Sequence, residues 1–254
     1  MKTNRRSFIT KSIVGAALLT NANLFSAQAE SMVSLKKSKK ISINQNDIIL
    51  FQGDSITDNG RDRNNKNVND NGALGSGYVN LAAANLLEKY ADKNLKIYNR
   101  GISGNRVPDL QNRWQQDTID LQPTILSILI GVNDFWRTKD SGATNTPEQF
   151  KKQYQDLLQQ TLSKLPQVKL IIGEPFGVKN VKHVTDDWYP DFLAYQNACV
   201  EISKEFDAAL ISYQSIFDQA QLKASGSYWT TDGVHTSLAG ASLMAKGGLM
   251  LLNK

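Results

Sequence analysis

The stretch Ile125-Leu-Ser-Ile-Leu-Ile130 decides the fold, because all but one of its residues are apolar. A run of this kind is typical of a strand that is buried on both faces of a parallel sheet. Similar short runs along the chain predict five strands, at residues 48–52, 96–99, 125–130, 169–173 and 209–212. Helical patterns separate and follow them, at residues 78–90, 108–121, 147–165, 190–205 and 237–252. This alternation predicts an α/β fold with helices on both faces of a parallel sheet.

Composition narrows the function classes before any motif is considered. The chain has 254 residues, of which 41% are hydrophobic, and this fits one sizeable globular domain. Cys199 is the only cysteine, so an internal disulfide and a cysteine-based zinc site are excluded. The only histidines are His183 and His235, so a multi-histidine metal site is not expected either.

The first 29 residues have the layout of an export signal. They contain four cations and no acid, then an apolar run at residues 13–19 and the small-x-small sequence Ala27-Gln-Ala29. The segment Asn4-Arg5-Arg6-Ser7-Phe8-Ile9 resembles the twin-arginine export motif. We therefore predict a signal peptide of the twin-arginine type over residues 1–29 and a periplasmic or extracellular location. The apolar run is too short to span a bilayer, so no stable membrane anchor is expected after processing.

The basic charge of the chain does not indicate a nucleic-acid partner. The formal charge is +5, but removal of residues 1–29 would leave 25 basic and 24 acidic side chains, a net charge of +1. Several of the remaining cations are lysines between residues 36 and 40. We therefore predict a solvated Lys/Ser-rich tether at residues 30–45, one folded domain at residues 46–254, and no binding of nucleic acid.

Four short polar segments lie after predicted strands or near the C-terminus, and open α/β sheets bind ligands beyond the carboxyl ends of their strands. They are Gly53-Asp-Ser-Ile-Thr57, Asn99-Arg-Gly-Ile-Ser-Gly-Asn-Arg106, Gly131-Val-Asn-Asp134 and Asp232-Gly-Val-His235. Each segment alone is also compatible with an ordinary turn or helix cap. Together they supply the parts needed for acyl transfer. These are a serine at a strand-to-helix turn, a histidine base with an aspartate nearby, and neutral donors for an oxyanion.

The four segments together resemble the SGNH hydrolases, also called the GDSL family, from about residue 47 to the C-terminus. The resemblance implies a flavodoxin-like three-layer α/β/α sandwich with a five-stranded parallel sheet. It implies that Ser55 is the nucleophile and that Asp232 and His235 complete a catalytic triad. The oxyanion hole would then consist of the Ser55 amide, the Gly104 amide and the Asn133 side chain. No metal and no organic cofactor are expected.

Longer stretches narrow the resemblance to the acetylxylan esterase branch of these hydrolases. They are Phe51-Gln-Gly-Asp-Ser-Ile-Thr-Asp-Asn-Gly-Arg61, Leu74-Gly-Ser-Gly-Tyr-Val79, Arg113-Trp-Gln-Gln-Asp117 and Gly131-Val-Asn-Asp-Phe-Trp136. This resemblance implies a serine esterase that removes O-acetyl groups from xylan or xylo-oligosaccharides through an acetyl-enzyme intermediate. An acetylated carbohydrate is then the expected partner, and a homo-oligomer remains open.

Three further residues are candidates for substrate binding. Trp136 follows the oxyanion asparagine and Trp229 precedes the triad aspartate, and aromatic faces suit the apolar faces of pyranose rings. For both tryptophans, packing as a hydrophobic wall is the alternative. Arg63 follows the nucleophile turn, as does Arg61, and both could contact substrate oxygens or pair with Asp62 and Asp134. For Arg61 a structural pairing is favoured.

Two other functions remain open. Lysophospholipases and thioesterases also occur in this superfamily, although the sequence has no evident amphipathic helix that would form an interfacial lid. The second alternative is a catalytically silent carbohydrate-binding protein on the same fold. The intact set of Ser55, Asp232 and His235 argues against it.

Overall fold

The computed structural model describes residues 39–253, and its centre is a five-stranded parallel sheet. The strands are β1 (Ile41–Ser42), β2 (Ile48–Gly53), β3 (Lys96–Asn99), β4 (Ile125–Leu129), β5 (Lys169–Gly173), β6 (Ala209–Ile211) and β7 (Leu252–Asn253). The central sheet has the order β3-β2-β4-β5-β6. Because the chain reverses its direction of travel across the sheet between β3 and β4, the loops after β2 and β4 leave a crevice at the carboxyl edge.

Helices cover both faces of this sheet. They are α1 (Ser55–Asp58), α2 (Asn71–Leu74), α3 (Tyr78–Lys89), α4 (Val107–Asp117), α5 (Val132–Asp140), α6 (Pro147–Lys164), α7 (Asp191–Glu205), α8 (Tyr213–Gln221), α9 (Gly226–Trp229) and α10 (Leu238–Leu249). Helices α3, α8 and α10 pack together as one layer, and α4, α6 and α7 pack together as the other. None of the helices within residues 39–253 is long and apolar enough to cross a membrane.

The core follows directly from the apolar pattern of the sequence. Strand β4 is buried at every position, as expected for the central run of an all-parallel sheet. Trp114 in α4 is fully buried, and its indole Nε1–H donates to Thr161 Oγ1 in α6 over 2.9 Å. Helix α6 begins at Pro147 after the N-cap Thr146, whose side chain accepts from the Gln149 amide. The start of α6 is therefore fixed by local capping, and its position in the layer is fixed by the contact with α4.

The predicted α/β fold is confirmed, and each of the five predicted strands agrees with the observed one to within one residue at either end. Two predicted helices are too long. The helix predicted at residues 108–121 ends at Asp117 and is followed by a separate 3₁₀ turn, Ile119–Leu121, because the backbone departs from helical angles at Thr118. The helix predicted to end at residue 252 ends at Leu249.

The segment before β2 also differs from its prediction. Residues 1–38, with the predicted signal peptide and part of the predicted tether, lie outside the described residues. Residues 41–43 of that tether are packed, because β1 pairs in parallel with β7 and the side chains of Ile41 and Ile43 are only 3% and 2% exposed. These two isoleucines alternate with a polar residue, which is the period of a half-buried strand, but neighbouring lysines obscure the pattern. The packed domain therefore begins before residue 46.

Truncation of one of these isoleucines tests whether the segment is part of the domain. Ile43→Ala should lower the free energy of unfolding by about 2–5 kcal/mol, because it removes buried methyl groups and leaves a cavity. Ser42→Ala, at the adjacent exposed position, should change it by less than about 0.5 kcal/mol. Urea denaturation measures both values. Equal stability of the two variants would mean that the segment behaves as a solvated tether.

Candidate active site

The turn after β2 places Ser55 at the carboxyl edge of the sheet. A Cβ atom at Gly53 would lie 2.3 Å from the Leu129 carbonyl oxygen and 2.4 Å from Thr57 Oγ1, so the close approach of the backbone there requires glycine. Asp54 caps the short helix α1 by accepting a hydrogen bond from the Ile56 amide over 3.0 Å. Ser55 is therefore the first residue of α1, beside the crevice between β2 and β4.

The structure brings Ser55, His235 and Asp232 into one chain of contacts. Ser55 Oγ lies 2.8 Å from His235 Nε2, and His235 Nδ1 lies 2.7 Å from Asp232 Oδ2. Asp232 Oδ1 also accepts from the amides of Val234 and His235, over 2.9 and 2.8 Å. Partial burial raises the pKa of Asp232, but its hydrogen bonds outweigh burial and hold the pKa below its usual value. An ionised Asp232 can orient the imidazole so that Nε2 accepts the serine proton.

A loop packs behind the aspartate of this set. The Val178 amide donates to the Gly233 carbonyl over 2.8 Å, and the His183 amide donates to the Asp232 carbonyl over 3.1 Å. Gly233 has a φ of +96°, and a Cβ atom there would lie 2.5 Å from Val184 Cγ2. The turn that carries Asp232 is thus fixed from outside by residues 178–184, which the sequence did not connect with the site.

The predicted oxyanion donors come from three loops at the same edge. The Ser55 amide lies at the start of α1, Gly104 lies in the loop after β3 with a φ of +84°, and Asn133 lies in the first turn of α5. The Asn133 side chain is buried, and its Nδ2–H donates to the Asn105 carbonyl over 3.2 Å. Among the residues that the structure describes, the Ser55 and Gly104 amides donate to no protein atom. Both amides are therefore available to another acceptor.

Arg113 connects these loops, and the sequence indicated it only as part of a motif. Its Nε–H donates to Asn105 Oδ1 over 2.8 Å, and its Nη1 donates to the Arg100 carbonyl over 2.8 Å and to Gln52 Oε1 over 2.9 Å. Nη1 also lies 3.0 Å from Asp117 Oδ2, one helical turn along α4. The spacing of Arg113 and Asp117 was the available signal, but it indicates a helical ion pair and not contacts with two other elements.

Two buried carboxyl groups flank the site. Burial raises the pKa of Asp54 to about 7, against the lowering effects of its bond from Ile56 and of His235. Burial also raises the pKa of Asp134 to about 7, and the nearby Asp54 adds to this. Asp134 Oδ1 accepts from the Val107 amide and from Asn145 Nδ2, each over 3.1 Å. Within residues 39–253, Oδ2 of each of the two aspartates has no hydrogen-bond partner.

The two candidate tryptophans have different surroundings. Trp136 is partly exposed and lies three residues after Asn133 on α5, with its ring centroid 5.2 Å from that of His183. Trp229 donates its indole N–H to the carbonyls of Ala220 and Ala224, over 3.1 and 3.2 Å. The Trp136 ring therefore lies on the same side of its helix as Asn133, whereas Trp229 is tied to the end of α8. A role in sugar binding stays a prediction for both.

The two arginines after the nucleophile turn both contact protein groups. Arg63 forms an ion pair with Asp58 through Nη2, although 49% of its side chain is exposed. Arg61 is buried and donates from Nε to the Gly101 carbonyl over 2.8 Å. The carboxylate that pairs with Arg63 is therefore Asp58, and the predicted partners Asp62 and Asp134 are wrong. Asp134 is buried and accepts from Val107 and Asn145 instead.

Sequence comparison identifies the class to which this fold and site belong. Residues 51–243 match the GDSL-like lipase/acylhydrolase family, and the chain belongs to that family. The protein is thus a carboxylic ester hydrolase of the SGNH type, as the motifs implied. An acetylxylan esterase from Geobacillus stearothermophilus is 32% identical over 203 residues, which is 79% of this chain and 91% of that relative. This similarity confirms the predicted acetylxylan esterase branch.

Solved structures agree with this assignment. A protein of Parabacteroides merdae described as a GDSL-like lipase is 43% identical, with a TM-score of 0.82 over 84% of this chain and 98% of that one. The acetylxylan esterase Axe2 of Geobacillus stearothermophilus is 28% identical, with a TM-score of 0.75 over 83% of this chain and 96% of that one. Solved Axe2 variants described as catalytic mutants replace a serine, an aspartate or a histidine by alanine.

The raised pKa of Asp54 predicts a specific pH dependence of stability. The folded protein binds this proton more tightly than the unfolded chain does, so the contribution of Asp54 is fully present below about pH 4 and is lost as the pH rises through about 7. Asp54→Asn should therefore reduce the fall in unfolding free energy between these values. Urea denaturation at a series of pH values measures this slope, with the exposed Asp62→Asn as a control. An unchanged slope in Asp54→Asn would contradict a buried, protonated Asp54.

Proposed function

We propose that the protein removes O-acetyl groups from carbohydrates, with acetylated xylan or xylo-oligosaccharides as substrates and an acetyl-enzyme as intermediate. The observation that carries this proposal is the unbroken set of contacts from Ser55 through His235 to Asp232, beside two amides with no protein acceptor among the described residues. The similarity to an acetylxylan esterase over most of both chains supports the acetyl group and the sugar.

The proposed reaction begins at Ser55. His235 Nε2 removes the hydroxyl proton while Oγ attacks the acetyl carbonyl, and Asp232 stabilises the imidazolium that forms. The oxyanion develops against the Ser55 amide, the Gly104 amide and the Asn133 side chain, which are fixed donors that need no reorganisation during the reaction. As the ester C–O bond breaks, His235 gives its proton to the departing sugar oxygen, which leaves as a hydroxyl. A water molecule attacks the acetyl-enzyme by the same route and releases acetate.

The sugar side of the proposal depends on the ring of Trp136. It lies near the oxyanion asparagine, and the exposed ring of His183 extends this aromatic surface at a centroid distance of 5.2 Å. Trp188 is buried and packs against the Trp136 ring at 5.5 Å. Such a surface suits the apolar face of a pyranose ring. A small alcohol group has no comparable face, so the surface would distinguish poorly between esters of different small alcohols. The predicted export signal fits a substrate outside the cytoplasm, so we propose a periplasmic or extracellular esterase.

A substrate panel tests this function. We expect acetate release from acetylated xylo-oligosaccharides to be faster than hydrolysis of octanoyl esters or acyl thioesters, and we expect Ser55→Ala to abolish it. The rates are compared by chromatographic measurement of the acetate or other carboxylic acid that each substrate releases. A preference for long acyl chains or thioesters would favour the lysophospholipase or thioesterase alternative. Binding of xylan without turnover by the natural sequence would favour the silent carbohydrate-binding alternative.

Removal of one oxyanion donor gives a second test. Asn133→Ala should lower kcat about 10²–10³-fold, the usual loss when one side-chain donor is removed from an oxyanion hole. Asn85→Ala, on the exposed face of α3, serves as the matched control and should leave kcat unchanged. Because Asn133 also donates to the Asn105 carbonyl, thermal unfolding must be measured to establish that both variants are folded. Full turnover by folded Asn133→Ala would remove this residue from the mechanism.

A further inference from the structure

Asp58 is a buried carboxylate close to the nucleophile that the proposed reaction does not use. It is the last residue of α1, three positions after Ser55, and its side chain is 3% exposed. Its Oδ2 accepts from both the amide and the hydroxyl of Ser103, each over 2.9 Å. The same oxygen accepts from Arg63 Nη2. One carboxylate oxygen thus gathers three donors, two of them from a single residue of the loop after β3.

Ser103 immediately precedes Gly104, whose amide is a proposed oxyanion donor. On the other side of Gly104, the Asn105 side chain accepts from Arg113 Nε over 2.8 Å and its carbonyl accepts from Asn133 over 3.2 Å. Gly104 is therefore a single residue between two anchored neighbours. A glycine peptide can rotate at little steric cost, so its direction depends on such anchors.

The charge of Asp58 suits this contact. Burial raises the pKa of Asp58, but the hydrogen bonds from Arg63 and from the Ser103 amide and hydroxyl outweigh burial and hold the pKa below its usual value. The carboxylate is therefore ionised at neutral pH. Hydrogen bonds to an ionised acceptor are stronger than those between neutral groups, and two of them restrain Ser103.

We propose that Asp58 is a positioning residue of the oxyanion hole, which directs the Gly104 amide at the reacting carbonyl by restraining Ser103. Arg63 acts in the same set by holding the Asp58 carboxylate, and not primarily as a ligand of the sugar. This inference rests on the proposed function, because it takes the Gly104 amide as a donor to the oxyanion. It extends that function by adding a group that touches neither the substrate nor the triad.

Steady-state kinetics with a small aryl acetate test the proposal. Asp58→Asn should lower kcat about 10- to 100-fold and change KM less than about two-fold. The reason is that a misdirected Gly104 amide stabilises the oxyanion of the transition state less well, whereas it contributes little to the binding of the substrate. Ser103→Ala, which removes only the hydroxyl bond, should lower kcat about 3- to 10-fold, again without a change in KM. Asp62→Asn, at an exposed position, is the matched control and should have the kcat of the natural sequence.

A double-mutant cycle with Gly104→Ala separates positioning from a general structural role. Gly104 has a φ of +84°, so a side chain there strains the backbone and displaces the amide, although no atom lies within 4 Å of the added Cβ. If Asp58 acts through this amide, Asp58→Asn should cost less than about two-fold in the Gly104→Ala background. An undiminished cost there would overturn the proposal. So would an unchanged kcat in folded Asp58→Asn or Ser103→Ala, or a change confined to KM.

The outcome is independent of the natural substrate. A small aryl acetate needs only an activated Ser55 and the oxyanion donors, so failure of the xylan assignment would leave the cycle interpretable. Failure of the serine mechanism would be recognised separately, by retained activity in Ser55→Ala. If Asp58→Asn does not fold, the Ser103→Ala and Gly104→Ala pair completes the same cycle.

Discussion

The burial of the Arg113 guanidinium is the constraint on which the geometry of the site depends. A guanidinium has five N–H donors and stays charged, so it can be buried only where acceptors surround it. Arg113 finds them in Gln52 of β2 and in Arg100 and Asn105 of the loop after β3. Its side chain is only 14% exposed. Satisfying this one group therefore fixes the loop after β3 against β2, the strand that leads to Ser55.

The parts of the site that could be predicted are those whose position is determined by the order and direction of the strands. Parallel strands bring their carboxyl ends to one edge, so polar residues directly after β2 and β4 meet there whatever the loops do in detail. That is why Ser55 and Asn133 could be assigned to one crevice from the sequence. Asp232 and His235 are close in sequence, and the structure confirms their contact over 2.7 Å. Strand β4 was predictable because a strand that is buried at every position is an apolar run.

The parts that could not be predicted depend on the direction of side chains between distant segments. Asp58 resembles an ordinary helix residue in the sequence, and nothing local indicates that it accepts from Ser103. Trp229 lies close to Asp232 in the chain, yet its indole N–H points to the carbonyls at the end of α8. The packing of Ile43 likewise depends on a non-local partner and not on the lysines beside it. The sequence indicates roughly where in the fold a residue lies, but the partners of its side chain can be read only from the folded structure.

The pairing of β1 with β7 has a consequence for the order of events during synthesis. Ile41 is among the first described residues to be made, but its strand partner Leu252 is among the last. The central sheet can assemble while translation continues, since its strands follow one another along the chain. The two-stranded sheet of β1 and β7 cannot form until Leu252 and Asn253 have been made. Until then Ile41 lacks the strand partner that it has in the folded domain.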